Sequence, residues 1–183
     1  MVYGKLLKAL EPRAYEEWFA KQLRGVLERR LAPTYERGYE YENYIESAVF
    51  DAFYGGKLKA GSEMGLDPTI KRKDLILIDG ISDDFLEDME EILRDLHVDP
   101  APDIARYEKR IRPLAEMAVW TSYNEGKLEF LKERQERFVH LRVMPDACEN
   151  CVDLEGTYPI ENVPHPPFHI NCRCELEYAG SPA

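Results

Sequence analysis

The residues with the clearest chemical capability are four cysteines, the full complement of the 183-residue chain, gathered late in the sequence. Cys148-Glu-Asn-Cys151 forms a C-x2-C pair, and twenty residues later Cys172-Arg-Cys174 forms a C-x-C pair, with His165 and His169 just upstream. Thiolates are soft donors, and a short spacer lets one turn present two of them to a single ion. Two such pairs joined by a loop point to a tetrahedral metal site, with zinc the expected ion and Cys148, Cys151, Cys172 and Cys174 the expected ligands. A C-x-C chelate is tighter than C-x2-C, so His169 is an alternate ligand in place of one of the second pair, and His165 a weaker candidate. Buried thiols without metal, or two disulfides, are the competing readings.

A catalytic zinc keeps one position open for water beside a general base, whereas a four-cysteine module closes the site. Four thiolates also overcompensate the ion's charge and make it a poor Lewis acid, so a structural role is expected. No His-x-Glu precedes the first pair, which removes the deaminase pattern. Glycine-rich phosphate loops and serine-hydrolase motifs are absent as well. A metal-dependent hydrolase would need His140, His165 or His169 beside a polarising carboxylate, which the spacing does not supply.

The elements that must carry these residues read as a mainly α-helical protein with a small C-terminal zinc-stabilised β module. Residues 13–31 place Tyr15, Trp18, Phe19, Leu23, Val26, Leu27 and Leu31 at three- and four-residue intervals, an amphipathic stripe. After Pro33, the aromatic run from Tyr35 to Tyr54 is interleaved with acids, which suits helix packing better than base stacking. Gly55-Gly56 is expected to end that helix and open an irregular stretch near 55–81 that includes the basic cluster Lys71-Arg72-Lys73. Ser82 then caps a helix running to about His97, and Asp99-Pro-Ala-Pro-Asp103 is a stiff linker. The division expected is a helical body over 1–99 and a second region over 100–183. The latter holds the longest helical pattern, through Ile104, Tyr107, Ile111, Leu114, Ala118, Tyr123, Leu128 and Leu131, with Pro113 expected to kink or interrupt it and Gly126 a weak point. Alternation over Phe138-Val-His-Leu-Arg-Val-Met144 predicts a strand, and short strands and turns surround the cysteines over about 138–178.

Composition bounds the rest. Hydrophobic residues make up 44% and aromatics 11%, ordinary for a globular chain. Net charge is −11, concentrated over 82–99, where eight acids face the single base Arg94. That run is a solvated helix face or a docking surface for a basic partner. An acidic surface repels phosphate backbones, which disfavours charge-driven nucleic-acid binding. A zinc-knuckle regulator that binds nucleic acid is therefore the second reading. No apolar run reaches membrane-span length and MVYGKLLKALEPRAYEEW lacks a signal-peptide core, so a reducing cytoplasm is expected, where cysteine pairs hold metals more often than disulfides.

The string Cys148-x2-Cys151-x2-Leu154-x-Gly156, followed by Pro166-Pro167-Phe-His169-Ile-Asn171-Cys172-Arg173-Cys174, resembles the C-terminal signature of the phage Mu F-like head morphogenesis (minor head protein) family. Upstream, Met117-Ala-Val-Trp-Thr121-Ser-Tyr-Asn124-Glu-Gly126 and then Phe138 to Met144 are similar to the helix and strand that lead into the family's first cysteine. The resemblance covers roughly residues 100–178. It implies a non-enzymatic phage or prophage protein, made in the host cytoplasm and carried in the virion head interior. The implied partners are the portal and/or other capsid proteins, with indirect contact to packaged DNA, and no membrane. Some longer relatives carry an enzymatic extension such as an ADP-ribosyltransferase, and with nine residues after Cys174 none is expected downstream here. Arg173, between two expected ligands, either braces the turn by bonding backbone carbonyls, the favoured reading, or contacts portal acids or DNA phosphate.

Overall fold

In the computed structural model the described residues are 52–66, 91, 92, 95, 103–145 and 147–180. The stripe at 13–31, the aromatic run up to residue 51, the Lys71-Arg72-Lys73 cluster and most of the acidic 82–99 run lie outside them. Of that last segment, residues 91, 92 and 95 are helical, and Asp95 pairs with Arg110 at 3.0 Å.

The described part is helix-rich with one small antiparallel sheet. Helix α1 occupies 52–63 and helix α2 runs Ile104–Glu133. Strand β1 (Phe138–Arg142), a helical turn α3 (Glu149–Val152), β2 (Gly156–Pro159) and β3 (Glu175–Tyr178) follow. The sheet order is β2-β1-β3, with Leu141 of β1 opposite Gly156 on one side and Leu176 on the other.

Local chemistry sets the limits of α2. Asp103 is its N-cap, the carboxylate accepting from the Ala105 and Arg106 amides at 3.1 and 3.3 Å. At the other end Gln135 takes a left-handed conformation (φ 59°), and the Gln135 and Glu136 amides bond back to the Lys132 and Leu131 carbonyls. This Schellman arrangement turns the chain directly into β1.

Three expectations about helix breakers are revised. Gly55-Gly56 does not end a helix, and 57–63 is not irregular, because α1 runs through both glycines. A Cβ at Gly56 would lie 1.9 Å from the Tyr123 carbonyl oxygen, and one at Gly126 would lie 2.0 Å from that of Phe53. The glycines let α1 and α2 touch backbone to backbone, and that contact offsets their poor helix propensity. Gly126 is therefore the crossing point and not a weak one. Nor does Pro113 interrupt α2. The carbonyl it leaves without an amide belongs to Lys109, an exposed residue whose turn water can serve.

Each helix buries a lysine against the other's acids. Lys57 of α1 donates to Glu129 and Glu133, both at 2.8 Å, and Lys127 of α2 donates to Glu63 at 2.7 Å. Beneath them Ala60, Leu128, Leu131, Val139, Leu141, Ile160, Val163 and Leu176 form one core, which also takes in the sulfurs of Cys151, Cys172 and Cys174.

Candidate metal centre

Three stretches deliver the donors. The Cys148–Cys151 pair straddles the start of α3, where Cys148 is the N-cap and the Cys151 amide bonds to the Cys148 carbonyl at 3.0 Å. The proline-rich return, with a cis peptide between Pro166 and Pro167, carries His169. Asn171 at φ 66° then turns the chain into Cys172 and Cys174 at the head of β3.

The donors gather in two overlapping groups. Cys148, Cys151 and His169 form one, and Cys151, Cys172 and Cys174 the other, with the ligand atoms of each within 4.8 Å of one another. His169 Nε2 lies 3.1 Å from Cys148 Sγ and 3.2 Å from Cys151 Sγ, while Cys151 Sγ lies 3.8 Å from Cys172 Sγ. The four thiols are free, with no disulfide between them.

These spacings fit a metal ion. Zinc–sulfur bonds of about 2.3 Å at tetrahedral angles separate two sulfurs by about 3.8 Å. A sulfur and an imidazole nitrogen on one zinc would be about 3.5 Å apart, slightly more than the thiol–imidazole contacts here. The His169 ring is also set for ligation: its Nδ1 bonds to the Ile170 carbonyl at 2.8 Å. That fixes the proton on Nδ1 and turns the Nε2 lone pair toward the thiols.

Electrostatics divide the thiols. A backbone hydrogen bond from Cys151, then its side chain, pull the exposed Cys148 thiol below its ordinary value. Burial opposes ionisation of Cys172, but backbone hydrogen bonds from Cys174 and Phe168 outweigh it and lower that thiol too. Burial pushes Cys151 up to about 11 and drives Cys174 upward as well. The Ile170 carbonyl raises His169. Two thiols are thus shifted toward ionisation and two away from it.

Histidine and carboxylate placement bears on catalysis. His165 pairs with Glu125 on α2 and His140 contacts Thr157 at 3.2 Å, so neither joins the donor groups. Among the described residues no carboxylate joins either group. Glu175, next to Cys174, turns instead to Lys127 Nζ at 2.8 Å, Arg142 at 3.0 Å and Tyr123 Oη at 3.3 Å. The two groups share Cys151, so either could hold a metal through three protein donors.

Arg173 acts as a brace. Its guanidinium donates to the Cys172 carbonyl at 3.3 Å and to Glu116 of α2 at 3.2 Å, and sits 5.7 Å from the Trp120 ring centre. Sequence reasoning assigned no role to Asn124, whose amide donates to the Trp120 and Cys174 carbonyls and accepts from the Leu176 amide at 2.8 Å. With Glu63 accepting from the Tyr178 amide, it caps the outer edge of β3. The available signal was the polar pair Asn124 and Lys127 interrupting an otherwise apolar stripe of α2.

Among the described residues no helix is long and apolar enough to cross a membrane. Comparison with protein-family models, curated proteins and solved structures finds no match to this chain.

Proposed function

We propose that the chain is a phage or prophage minor head protein, non-enzymatic, whose Cys/His cluster holds one structural zinc ion. The observation that carries this reading is the gathering of Cys148, Cys151, His169, Cys172 and Cys174 into two adjoining donor groups that share Cys151. These are the chemically active positions of the motif that resembles the head morphogenesis family, Cys148-x2-Cys151 and Pro166-Pro167-x-His169-x-Asn171-Cys172-Arg173-Cys174.

Zinc would take four of the five donors, Cys151 among them. It would supply cross-linking free energy to a segment too short and proline-rich to bury a sufficient core of its own. The remaining work falls to the protein. Backbone hydrogen bonds hold Cys148 and Cys172 toward the thiolate form, Ile170 orients His169, and Arg173 and Asn124 fasten the second pair to α2. The helical body, with its acidic 82–99 run, would then dock on the portal or another capsid protein.

Co-expression with the portal and capsid proteins of the same genome, followed by mass spectrometry of purified heads, tests the role. Low-copy recovery in heads is expected, and heads that form normally and never contain the chain would refute it. A DNA titration separates the nucleic-acid regulator: a steep loss of affinity with salt, implying several phosphate contacts, would favour that reading instead.

A further inference from the structure

The segment entering β3 alternates between two tasks. Its even-numbered residues Cys172, Cys174 and Leu176 turn into the sulfur cluster and the core. Its odd-numbered residues Arg173 and Glu175 turn to α2, where Glu116 and Lys127 receive them at 3.2 and 2.8 Å. Asn124 lies between those two α2 residues and bonds the backbone itself, donating to the Cys174 carbonyl at 3.2 Å and accepting from the Leu176 amide at 2.8 Å. Glu116, Trp120, Asn124 and Lys127 fall at intervals of four, four and three, one face of a helix.

This explains why the second cysteine pair has one intervening residue and not two. In extended backbone, residues two apart share a side, so C-x-C sends both sulfurs one way and the residue between them the other. Asn124 is itself fixed: one amide hydrogen goes to the Trp120 carbonyl of its own helix at 3.0 Å and the other to Cys174. The amide is fully buried, so no water replaces these bonds when they are lost.

We infer that Asn124 and Arg173 are positioning residues for the metal, with α2 serving as the template that sets the Cys172 and Cys174 donors before the ion binds. The inference rests on the metal reading above. Because positioning and ligation constrain the same two donors, Cys172 and Cys174, loosening either loosens the other.

The test is zinc affinity of the full chain, by competition with a chromophoric chelator, together with the visible spectrum of the cobalt(II)-substituted protein. Asn124→Ala removes no donor atom, yet should weaken zinc binding on the order of 10-fold or more and shift the cobalt ligand-field bands. Arg173→Lys keeps the charge but loses the fork spanning Glu116 and the Cys172 carbonyl, and should also weaken binding on the order of 10-fold, which covers the case of an Asn124→Ala protein that does not fold. Lys57→Met, which disturbs only the far side of α2, should lower stability and leave zinc affinity unchanged. Wild-type affinity in both Asn124→Ala and Arg173→Lys would overturn the inference, as would an equal loss in Lys57→Met. A wild-type chain that binds neither zinc nor cobalt is a different result and removes the metal reading itself.

Discussion

Two adjacent glycines should respond to alanine with opposite signs. At Gly55 an added methyl would meet nothing nearer than Tyr123 Cδ2 at 3.8 Å, an ordinary contact, so Gly55→Ala gains helix propensity. That gain is about 0.5–1 kcal/mol. At Gly56 the same methyl would lie 1.9 Å from the Tyr123 carbonyl oxygen, 2.9 Å from its carbonyl carbon and 3.0 Å from the Lys127 amide nitrogen. All three are backbone atoms of α2 and cannot rotate away, so the helices must part by about 1 Å or more at their crossing. Overpacking of this kind costs about 3 kcal/mol, against about 1 kcal/mol of propensity gained, for a net loss of about 2 kcal/mol. At about 2–4 °C per kcal/mol for a chain of this size, Gly56→Ala should lower Tm by about 4–8 °C while Gly55→Ala raises it by about 1–4 °C. Thermal melts followed by far-ultraviolet circular dichroism read both. A Gly56→Ala protein as stable as Gly55→Ala would refute the close crossing of α1 and α2.

Removing the N-cap of α2 with Asp103→Ala should cost about 1 kcal/mol, read as a Tm decrease of about 2–4 °C. Glu175 makes acid stability specific: burial opposes its ionisation, but Lys127 and then Arg142 hold its carboxyl below the usual 4.5. Its contribution is therefore complete above pH 4.5 and is lost as pH falls through the depressed folded value. Glu175→Gln, which leaves Lys127 with Glu63 alone, should destabilise the protein at neutral pH by about 3 kcal/mol. Urea titrations at pH 7 and pH 3 should show the gap between the two proteins closing in acid. A gap that stays constant would show that the carboxylate is not the stabilising form. Lys57 works in the opposite direction, its pKa raised by Glu129 and Glu133 against the effect of burial. Stability from that cluster should be present below pH 10.5 and fall as the pH rises through the raised value, and Lys57→Met should remove the alkaline loss.

Parts of this protein could be read directly from residue types. The long helical pattern after the proline-rich linker, the alternation beginning at Phe138 and the two thiol pairs all depend on spacing within a few residues, which periodicity records. Gly56 and Gly126 misled because a glycine's local signal is the same whether it breaks a helix or admits another backbone. The difference lies in a contact some seventy residues away in the chain. Pro113 does not interrupt α2 for a related reason, since its cost depends on whether the freed Lys109 carbonyl meets water. Asn124 was legible only as part of the family-like helix string and Lys127 not at all, because their partners at Cys174 and Glu175 lie 50 and 48 residues on. The place of His169 depended on how the Pro166-Pro167 return closes against Cys148, which no spacing rule sets.

The central claim is that the clustered donors hold zinc as a structural element. Metal analysis of protein purified without added zinc, comparing wild type with Cys172→Ser and Cys174→Ser singly, tests it most directly. About one zinc per chain is expected in the wild type, lost in either variant together with the structure of the sheet. A wild-type chain that is fully folded and metal-free would contradict the account.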